Sequence, residues 1–225
     1  MRRINGFIGR RQLLKLAGFG GCILASEICL NARSSQAAEM NLHSLTPDEA
    51  LKKLQEGNQR FVKQILEYPD HSQARLQEVA KAQHPFATIL SCADSRVPAE
   101  IIFDQGLGDI FDVRVAGNII TSEVLGSIEY STLLRNTPLL MILGHQRCGA
   151  VTAATSSEIL TASLNSLVIP IQPAIKRVKD KPGDLINNAV IANVEYQLER
   201  LRRKAPLIVD RERQGTLKIV GGYYE

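Results

Sequence analysis

The stretch "FATILSCADSR", residues 86–96, joins an apolar run directly to a cysteine, an aspartate and an arginine at alternate positions. A short apolar run that ends at polar residues is typical of a strand buried on both faces of a parallel sheet. Runs of the same kind occupy residues 110–116, 139–144 and 217–222. The sequence therefore predicts buried strands, the first of which ends where residues capable of chemistry begin.

Helical patterns separate these strands. They cover residues 121–135, a proline-interrupted stretch around 165–178, and the long segment 185–203. Strands that alternate with helices form parallel sheets, because each helix carries the chain back to the same end of the sheet. We therefore predict an α/β fold with a mostly parallel central β-sheet flanked by helices.

A helical arm is predicted ahead of the first strand. Thr46, Pro47 and Glu49 mark its start, since threonine and glutamate three residues apart form a capping box and proline suits the first helical position. The apolar face of this helix is expected to hold Leu51, Leu54, Phe61 and Val62. A second, polar helix is predicted over residues 72–82, so that the arm covers residues 38–84.

The first 37 residues have the composition of an export signal. Six basic residues against Glu27 give this segment a charge of +5. The motif "RRQLLK", residues 10–15, resembles the twin-arginine signal, and "SQA" before Ala38 offers the small residues that a signal peptidase reads. We expect export to the periplasm or otherwise beyond the cytoplasmic membrane. A lipid attached at Cys22 is an alternative way of holding the chain there.

The composition argues against membrane spans and nucleic acid. The apolar stretch after Lys15 includes Glu27 and Asn31, and is too polar for the ~20 apolar residues that a transmembrane helix needs. After residue 37 the net charge is −1, without a basic stripe of the kind that a phosphate backbone requires. We therefore expect no transmembrane span in the mature chain and no nucleic-acid partner.

Two polar clusters follow predicted strands. Cys92, Asp94 and Arg96 come directly after the strand at 86–91, and "GHQRCGA", residues 144–150, supplies His145 and Cys148 after the strand at 139–144. Ligands of parallel α/β sheets lie at the carboxyl ends of the strands. If these two strands are neighbours, two thiolates and an imidazole meet at one point, which suits tetrahedral zinc with a fourth position left for water or for Asp94.

Each of these residues also has a simpler interpretation. Cys92 and Cys148 could form a disulfide in an oxidising compartment, Asp94 and Arg96 could be a solvated surface pair, and His145 could be a core histidine. A histidine three residues before Cys148 has no role in a disulfide, however. The coincidence of all five residues at two strand ends favours a metal site.

The two clusters together resemble the β-class carbonic anhydrases, whose pattern is Cys-x-Asp-x-Arg followed by His-x-x-Cys. The resemblance extends from about Leu45 to the last residue. It includes the segments "GNQRF" at 57–61, "GDIFDVRVAGN" at 108–118 and "LKIVGGYY" at 217–224. It implies that residues 85–225 form a zinc-binding catalytic domain that reversibly hydrates carbon dioxide to bicarbonate and a proton.

The resemblance also assigns roles to individual residues. It implies that Cys92, His145 and Cys148 bind Zn²⁺, and that Asp94 and Arg96 form the catalytic dyad. The substrate-binding residues that it implies are Gln83, Phe111, Ala116 and Gly149. Zinc lowers the pKa of a bound water from about 15.7 towards 7, which is the chemistry that carbon dioxide hydration near neutral pH requires.

Some features of the family leave alternatives open. In some members Asp94 would bind zinc directly in a closed form, which relies on a bicarbonate pocket containing a tryptophan. This chain has no tryptophan, so we expect the open form. Hydrolysis of carbonyl sulfide or carbon disulfide on the same zinc site, or zinc and bicarbonate binding without catalysis, are the alternative functions.

Assembly is also implied by the resemblance. Members of the family are usually homodimers or larger, with the site near the subunit boundary. Many of them continue past the position of "GGYY" with a segment that pairs across this boundary. We expect a shorter end at this position to affect higher assembly more than zinc binding.

Overall fold

Four parallel strands form the central sheet in a computed structural model that describes residues 45–156 and 160–225. The strands are β1 (Ala87–Ser91), β2 (Ile110–Arg114), β3 (Leu139–His145) and β4 (Lys218–Tyr224). Their order is β2-β1-β3-β4, and each neighbouring pair is parallel. The predicted α/β fold with a parallel central sheet is confirmed. The predicted export signal over residues 1–37, with Cys22, lies outside the described residues and stays a prediction.

Helices connect and flank these strands. In chain order they are α1 (Pro47–Val62), α2 (Gln73–Val79), α3 (Ala99–Ile102), α4 (Ser122–Glu129), α5 (Gly149–Thr155), α6 (Ala162–Val168), α7 (Gln172–Lys176), α8 (Leu185–Lys204) and α9 (Pro206–Arg213). A 3₁₀ turn covers Ala116–Asn118, and a π-helical turn, Tyr130–Leu134, continues α4. Within the described parts of the chain, no helix is long and apolar enough to cross a membrane.

The strands differ in burial according to their place in the sheet. Every residue of β1 and β3 is buried, as the continuous apolar runs predict. β2 and β4 are only partly buried, because they are the two edges of the sheet within the described residues. The prediction that these two strands are buried on both faces is therefore wrong, since periodicity does not distinguish an edge strand from a central one.

Alternation along the central strands divides the core between the two faces of the sheet. Ile89 and Met141 belong to a cluster that includes residues of α1, α5 and α8. Leu90 and Ile142 belong to a second cluster, which includes residues of α4, α8 and α9. Successive side chains of a strand point to opposite faces, so one pair of strands supports both layers.

Some helices differ from the predicted ones. The pattern at 121–135 is α4 followed by the π-helical turn, and the stretch at 165–178 is two helices, α6 and α7, separated at Pro170. The sequence patterns did not predict α3, α5 and α9. These helices have eight residues or fewer, which is too short for an apolar repeat of 3.6 residues to stand out from a loop.

The start of the helical arm agrees with its sequence. The Thr46 hydroxyl accepts a hydrogen bond from the Glu49 backbone amide, and the Glu49 carboxylate accepts one from the Thr46 amide. Leu54 is buried, but Val62 is 68% exposed. Val62 was wrongly placed on the buried face, because it is the last residue of α1 and the buried positions of this helix end at Gly57.

Gly57 of α1 lies directly against the residue that follows α3. A Cβ atom at this position would lie 1.8 Å from the carbonyl oxygen of Phe103, which directly follows α3. The neighbouring Asn58 side-chain amide donates a hydrogen bond to the Ile102 carbonyl at 3.1 Å. The arm is therefore fixed against the segment that follows the Cys92 cluster by a contact that only glycine permits.

We predict that Gly57→Ala lowers the free energy of unfolding by about 1–3 kcal/mol, because backbone atoms must separate to admit the methyl group. Gly126→Ala is the matched control, since a Cβ at Gly126 in α4 meets nothing within 4 Å. Alanine should there raise stability by about 0.5–1 kcal/mol through its helix propensity. Urea unfolding of both variants measures this difference, and equal midpoints would contradict the assigned contact.

Candidate metal centre

The pairing of β1 with β3 brings the two polar clusters together. These strands are parallel neighbours with Leu90 opposite Ile142, so their carboxyl ends meet at the same edge of the sheet. Cys92 follows β1 directly, His145 is the last residue of β3, and Cys148 lies three residues further on. The two strands are therefore neighbours, as a shared site requires.

The three predicted metal ligands form a compact, buried group. Their donor atoms all lie within 4.8 Å of one another, and the two sulfur atoms are 3.9 Å apart. Two sulfur ligands of a tetrahedral zinc ion, at ~2.3 Å from the metal, lie about 3.8 Å from each other. A disulfide would require a sulfur–sulfur distance of about 2.05 Å. Both cysteines are free, so the alternative of a disulfide between Cys92 and Cys148 is wrong for this structure.

His145 presents one ring nitrogen to this group. Its Nδ1–H donates to the Gln146 carbonyl oxygen at 2.9 Å, which leaves the Nε2 lone pair free. Nε2 is buried and has no hydrogen-bond partner among the described residues. Burial lowers the pKa of His145, but the Cys92 sulfur beside it outweighs this effect and raises the pKa. A buried nitrogen without a partner costs free energy unless a ligand or ion occupies the position next to it.

The two cysteine sulfurs are close enough for the Cys148 proton to be shared in a hydrogen bond with the Cys92 thiolate. The hydrogen bond with Cys148 lowers the pKa of Cys92 to about 4, and it raises the pKa of Cys148. The Gly117 amide also donates to the Cys92 sulfur at 3.4 Å. A metal ion between the sulfurs would replace the shared proton, since thiolates are the form in which cysteine binds metals. The residues present therefore fit a metal of zinc's ligand preference.

Asp94 lies beside this group and is held by Arg96. The Arg96 guanidinium binds both carboxylate oxygens, from Nε to Oδ1 at 2.8 Å and from Nη2 to Oδ2 at 2.6 Å. This charge-assisted pair keeps the pKa of Asp94 well below its usual value. Arg96 also donates to the Arg147 carbonyl at 3.2 Å, and Asp94 Oδ2 lies 4.0 Å from His145 Nε2. The ionised carboxylate thus borders the three metal donors.

Arg114 is a further residue of the site that the motifs did not predict. Its Nε donates to the Cys92 carbonyl at 3.0 Å, and its Nη2 donates to the Asp94 carbonyl at 2.5 Å. It therefore fixes the backbone that carries Cys92, a predicted metal ligand, and Asp94, the predicted dyad carboxylate. Arg114 is the last residue of β2, which pairs with β1. Its position at the carboxyl end of a neighbouring strand was the signal that could have found it.

Two of the predicted substrate-binding residues lie away from the metal donors within one chain. Gln83 is exposed in the segment between α2 and β1, at the opposite end of β1 from Cys92. The five residues of β1 span roughly 16 Å. The Phe111 ring contacts Tyr130 at 5.9 Å between ring centres, in the core cluster on the other face of the sheet from Cys92.

The other two predicted substrate-binding residues adjoin the metal donors. Ala116 begins the 3₁₀ turn whose next residue, Gly117, donates to Cys92. Gly149 directly follows Cys148 as the first residue of α5, and it is exposed, with open space around a Cβ position. The roles of Gln83, Phe111, Ala116 and Gly149 in substrate binding stay predictions.

Known proteins share this sequence and this fold. A family model described as carbonic anhydrase matches residues 87–225. Carbonic anhydrase 2 of Mycobacterium tuberculosis is 39% identical over 183 residues, which cover 80% of this chain and 88% of that protein. The carbonic anhydrase of Mycolicibacterium smegmatis is 37% identical over 182 residues, with 79% of this chain and 88% of that protein covered.

Solved structures give the same result. The beta-carbonic anhydrase CcaA superimposes with a TM-score of 0.62 at 25% identity, over 77% of this chain and 83% of that chain. A beta-carbonic anhydrase of Sordaria macrospora, described as tetrameric, shares the fold with a TM-score of 0.59 at 23% identity, over 69% and 84% of the two chains. With the family model, the relatives and the Cys92, His145 and Cys148 group in agreement, the chain belongs to the β class of the carbonic anhydrase family and is an enzyme of reversible carbon dioxide hydration, as its sequence predicts.

Proposed function

We propose that this carbonic anhydrase is a zinc enzyme whose metal is held by Cys92, His145 and Cys148 and whose catalytic dyad is Asp94 and Arg96. The observation that carries the proposal is the buried His145 Nε2, which has no hydrogen-bond partner among the described residues and lies within 4.8 Å of two cysteine sulfurs. A ligand set of two thiolates and one imidazole favours zinc over magnesium, calcium or manganese.

The metal and the protein divide the chemistry between them. Zinc, when bound, makes a hydroxide nucleophile available near neutral pH. The chain contributes an ionised carboxylate at Asp94, because its pair with Arg96 disfavours protonation. Asp94 accepts a hydrogen bond from the reacting water and thereby directs a lone pair of the water oxygen at the carbon of carbon dioxide. Arg96 holds the carboxylate in the orientation in which it can do so.

The arrangement supports the open form of the site. In the described conformation Arg96 binds both oxygens of Asp94, so a shift of the carboxylate onto the metal would have to break this pair. The Arg96 backbone amide donates a third hydrogen bond, to Oδ1 at 3.0 Å. The chain also lacks the tryptophan of the closed form's bicarbonate pocket. A fourth position that stays accessible is what distinguishes catalytic zinc sites from structural ones.

We predict one zinc ion per chain in the parent protein and less than a tenth of that in Cys148→Ser, because a serine hydroxyl is a poor ligand for zinc beside Cys92. Asp94→Asn should retain the metal while the hydration rate falls ~10²–10⁴-fold, since a positioned acid–base group is lost. Metal analysis and stopped-flow hydration assays measure both quantities on the same preparations.

Arg177→Ala is the control for these variants. Arg177 binds Glu199 on the exposed surface through two hydrogen bonds of 2.7 Å. Like Arg96 with Asp94, it binds both oxygens of one carboxylate, but Glu199 is not one of the residues around the proposed metal. This variant should keep parental zinc content and rate. Full zinc occupancy in Cys148→Ser would contradict the ligand assignment, and a parental rate in Asp94→Asn would contradict the role of the dyad.

We also propose that the enzyme is a homodimer or a larger homo-oligomer, with Gln83 acting on the site of a neighbouring copy. Gln83 is at the opposite end of β1 from Cys92, so it can take part in the site only if a second chain brings it there. The Sordaria macrospora enzyme that shares the fold is described as tetrameric.

Mixing two inactive variants tests this assembly. We predict that Gln83→Ala and Cys148→Ser each have low activity, and that subunit exchange between them restores part of it, because a mixed pair contains one intact site. Asp94→Asn mixed with Cys148→Ser should show no recovery, since both residues belong to the same chain's half of the site. Hydration rates before and after exchange give the answer, and no recovery in the first mixture would exclude action of Gln83 across subunits.

We further propose that the chain is exported in a folded state by the twin-arginine pathway. The support is the "RRQLLK" motif at 10–15, followed by an apolar, small-residue-rich stretch. Export after folding is compatible with a site made of two thiolates, because the metal can bind before the chain meets an oxidising compartment.

A charge-conserving exchange tests the export route. We predict that Arg10→Lys with Arg11→Lys leaves the precursor in the cytoplasm of a bacterial host, since the pathway reads the guanidinium pair and not its charge alone. Arg2→Lys with Arg3→Lys changes an equal pair outside the motif and should export normally. Immunoblots of periplasmic and cytoplasmic fractions report the outcome, and equal export of both variants would point to a different route.

A further inference from the structure

Two amide side chains of α8 are fully buried. Asn193 and Gln197 are both 0% exposed, whereas all the other buried residues of this helix are apolar. They are four residues apart, so they share one face of the helix. Burial of an amide without hydrogen bonds is costly, which makes the partners of these two side chains informative.

Every polar atom of the two amides has a partner. Asn193 Nδ2 donates to the Gly117 carbonyl at 2.9 Å, and Gln197 Oε1 accepts from the Ile120 amide at 3.0 Å. Gln197 Nε2 donates to Asn193 Oδ1 at 3.0 Å and to the Pro170 carbonyl at 3.2 Å. The network therefore holds the 3₁₀ turn that contains Gly117, and the residues just after it, at two separate points.

This turn supplies the hydrogen bond to a metal ligand. The Gly117 amide donates to the Cys92 sulfur at 3.4 Å, while the carbonyl of the same residue accepts from Asn193. Gly117 has φ +75°, and a Cβ there would lie 2.6 Å from Ile171 Cδ1. The orientation of the amide towards sulfur depends on this left-handed backbone, and Asn193 is the side chain that binds it from the opposite side.

We propose that Asn193, supported by Gln197, is a positioning residue of the metal centre: it fixes Gly117 so that its amide remains directed at the Cys92 sulfur. The inference rests on the proposed function, since it concerns the charge that the Cys92 thiolate presents to the metal. An N–H donor withdraws charge from a thiolate, and residues that orient metal ligands in this way affect metal affinity. The role goes beyond packing, because Asn193 affects the metal through the hydrogen bond from the Gly117 amide to the Cys92 sulfur.

Cobalt substitution of the full chain tests this role directly. In Asn193→Leu the Gly117 carbonyl loses its donor, so the sulfur-to-cobalt absorption band should move to longer wavelength as the thiolate loses its hydrogen bond. Zinc affinity, measured by chelator competition, should fall about 10–100-fold. Gln197→Met is the second variant, which keeps the Asn193–Gly117 contact and should shift the band less, in the same direction.

Thr137→Val is the matched control. Thr137 is also fully buried, and its hydroxyl is hydrogen-bonded at 2.8 Å to that of Thr88, near the start of β1 and away from its Cys92 end. This variant should lower the urea midpoint while the cobalt band and zinc affinity stay parental. The proposal would be overturned if Asn193→Leu and Gln197→Met also lowered only the urea midpoint, with the cobalt band and the zinc affinity unchanged. If Asn193→Leu does not fold, the band of Gln197→Met alone decides between the two outcomes. A parent protein without any sulfur-to-cobalt band would instead overturn the proposed zinc function.

Discussion

The parallel pairing of β1 with β3 is the constraint on which the rest of the structure depends. It brings Cys92 and His145, 53 positions apart in the chain, to the same edge of the sheet, and it places Cys148 within 3.9 Å of Cys92. Both strands are buried throughout, so their register is specified by both core layers. A slip of one residue would exchange the two faces of a strand and would separate the sulfurs.

Hydrogen bonds to and from the backbone then hold the residues of the proposed metal centre in place. Arg114 binds the carbonyls of Cys92 and Asp94, and the Gly117 amide donates to the Cys92 sulfur. Arg147 has a positive φ of 56°, and its carbonyl accepts a hydrogen bond from Arg96. The side chains that carry the chemistry are thus oriented by loops whose own polar groups are paired, as buried or half-buried backbone requires.

Burial distinguishes the proposed metal ligands from the proposed dyad. Cys92, His145 and Cys148 are buried, where charge is stabilised only by close partners or by a cation. Asp94 and Arg96 are more accessible, with side chains 18% and 59% exposed. Solvent can therefore reach the carboxylate while the ligand atoms remain shielded. An enzyme that takes up a small neutral substrate and releases an anion and a proton needs such an accessible border beside the buried ligand atoms.

The sequence by itself determined the α/β class, the two central strands and the polar clusters at their carboxyl ends, Cys92, Asp94 and Arg96 at one and His145 and Cys148 at the other. Each of these signals was local: an apolar run, or a motif at a strand end. Only the tertiary structure decided which strands are edges, that Arg114 reaches the Cys92 loop, and that Asn193 and Gln197 bind the turn beside the metal ligands. It also placed Gln83 at the far end of β1. These features depend on contacts between residues distant in sequence. The residue pattern of one segment does not predict which other segment packs against it.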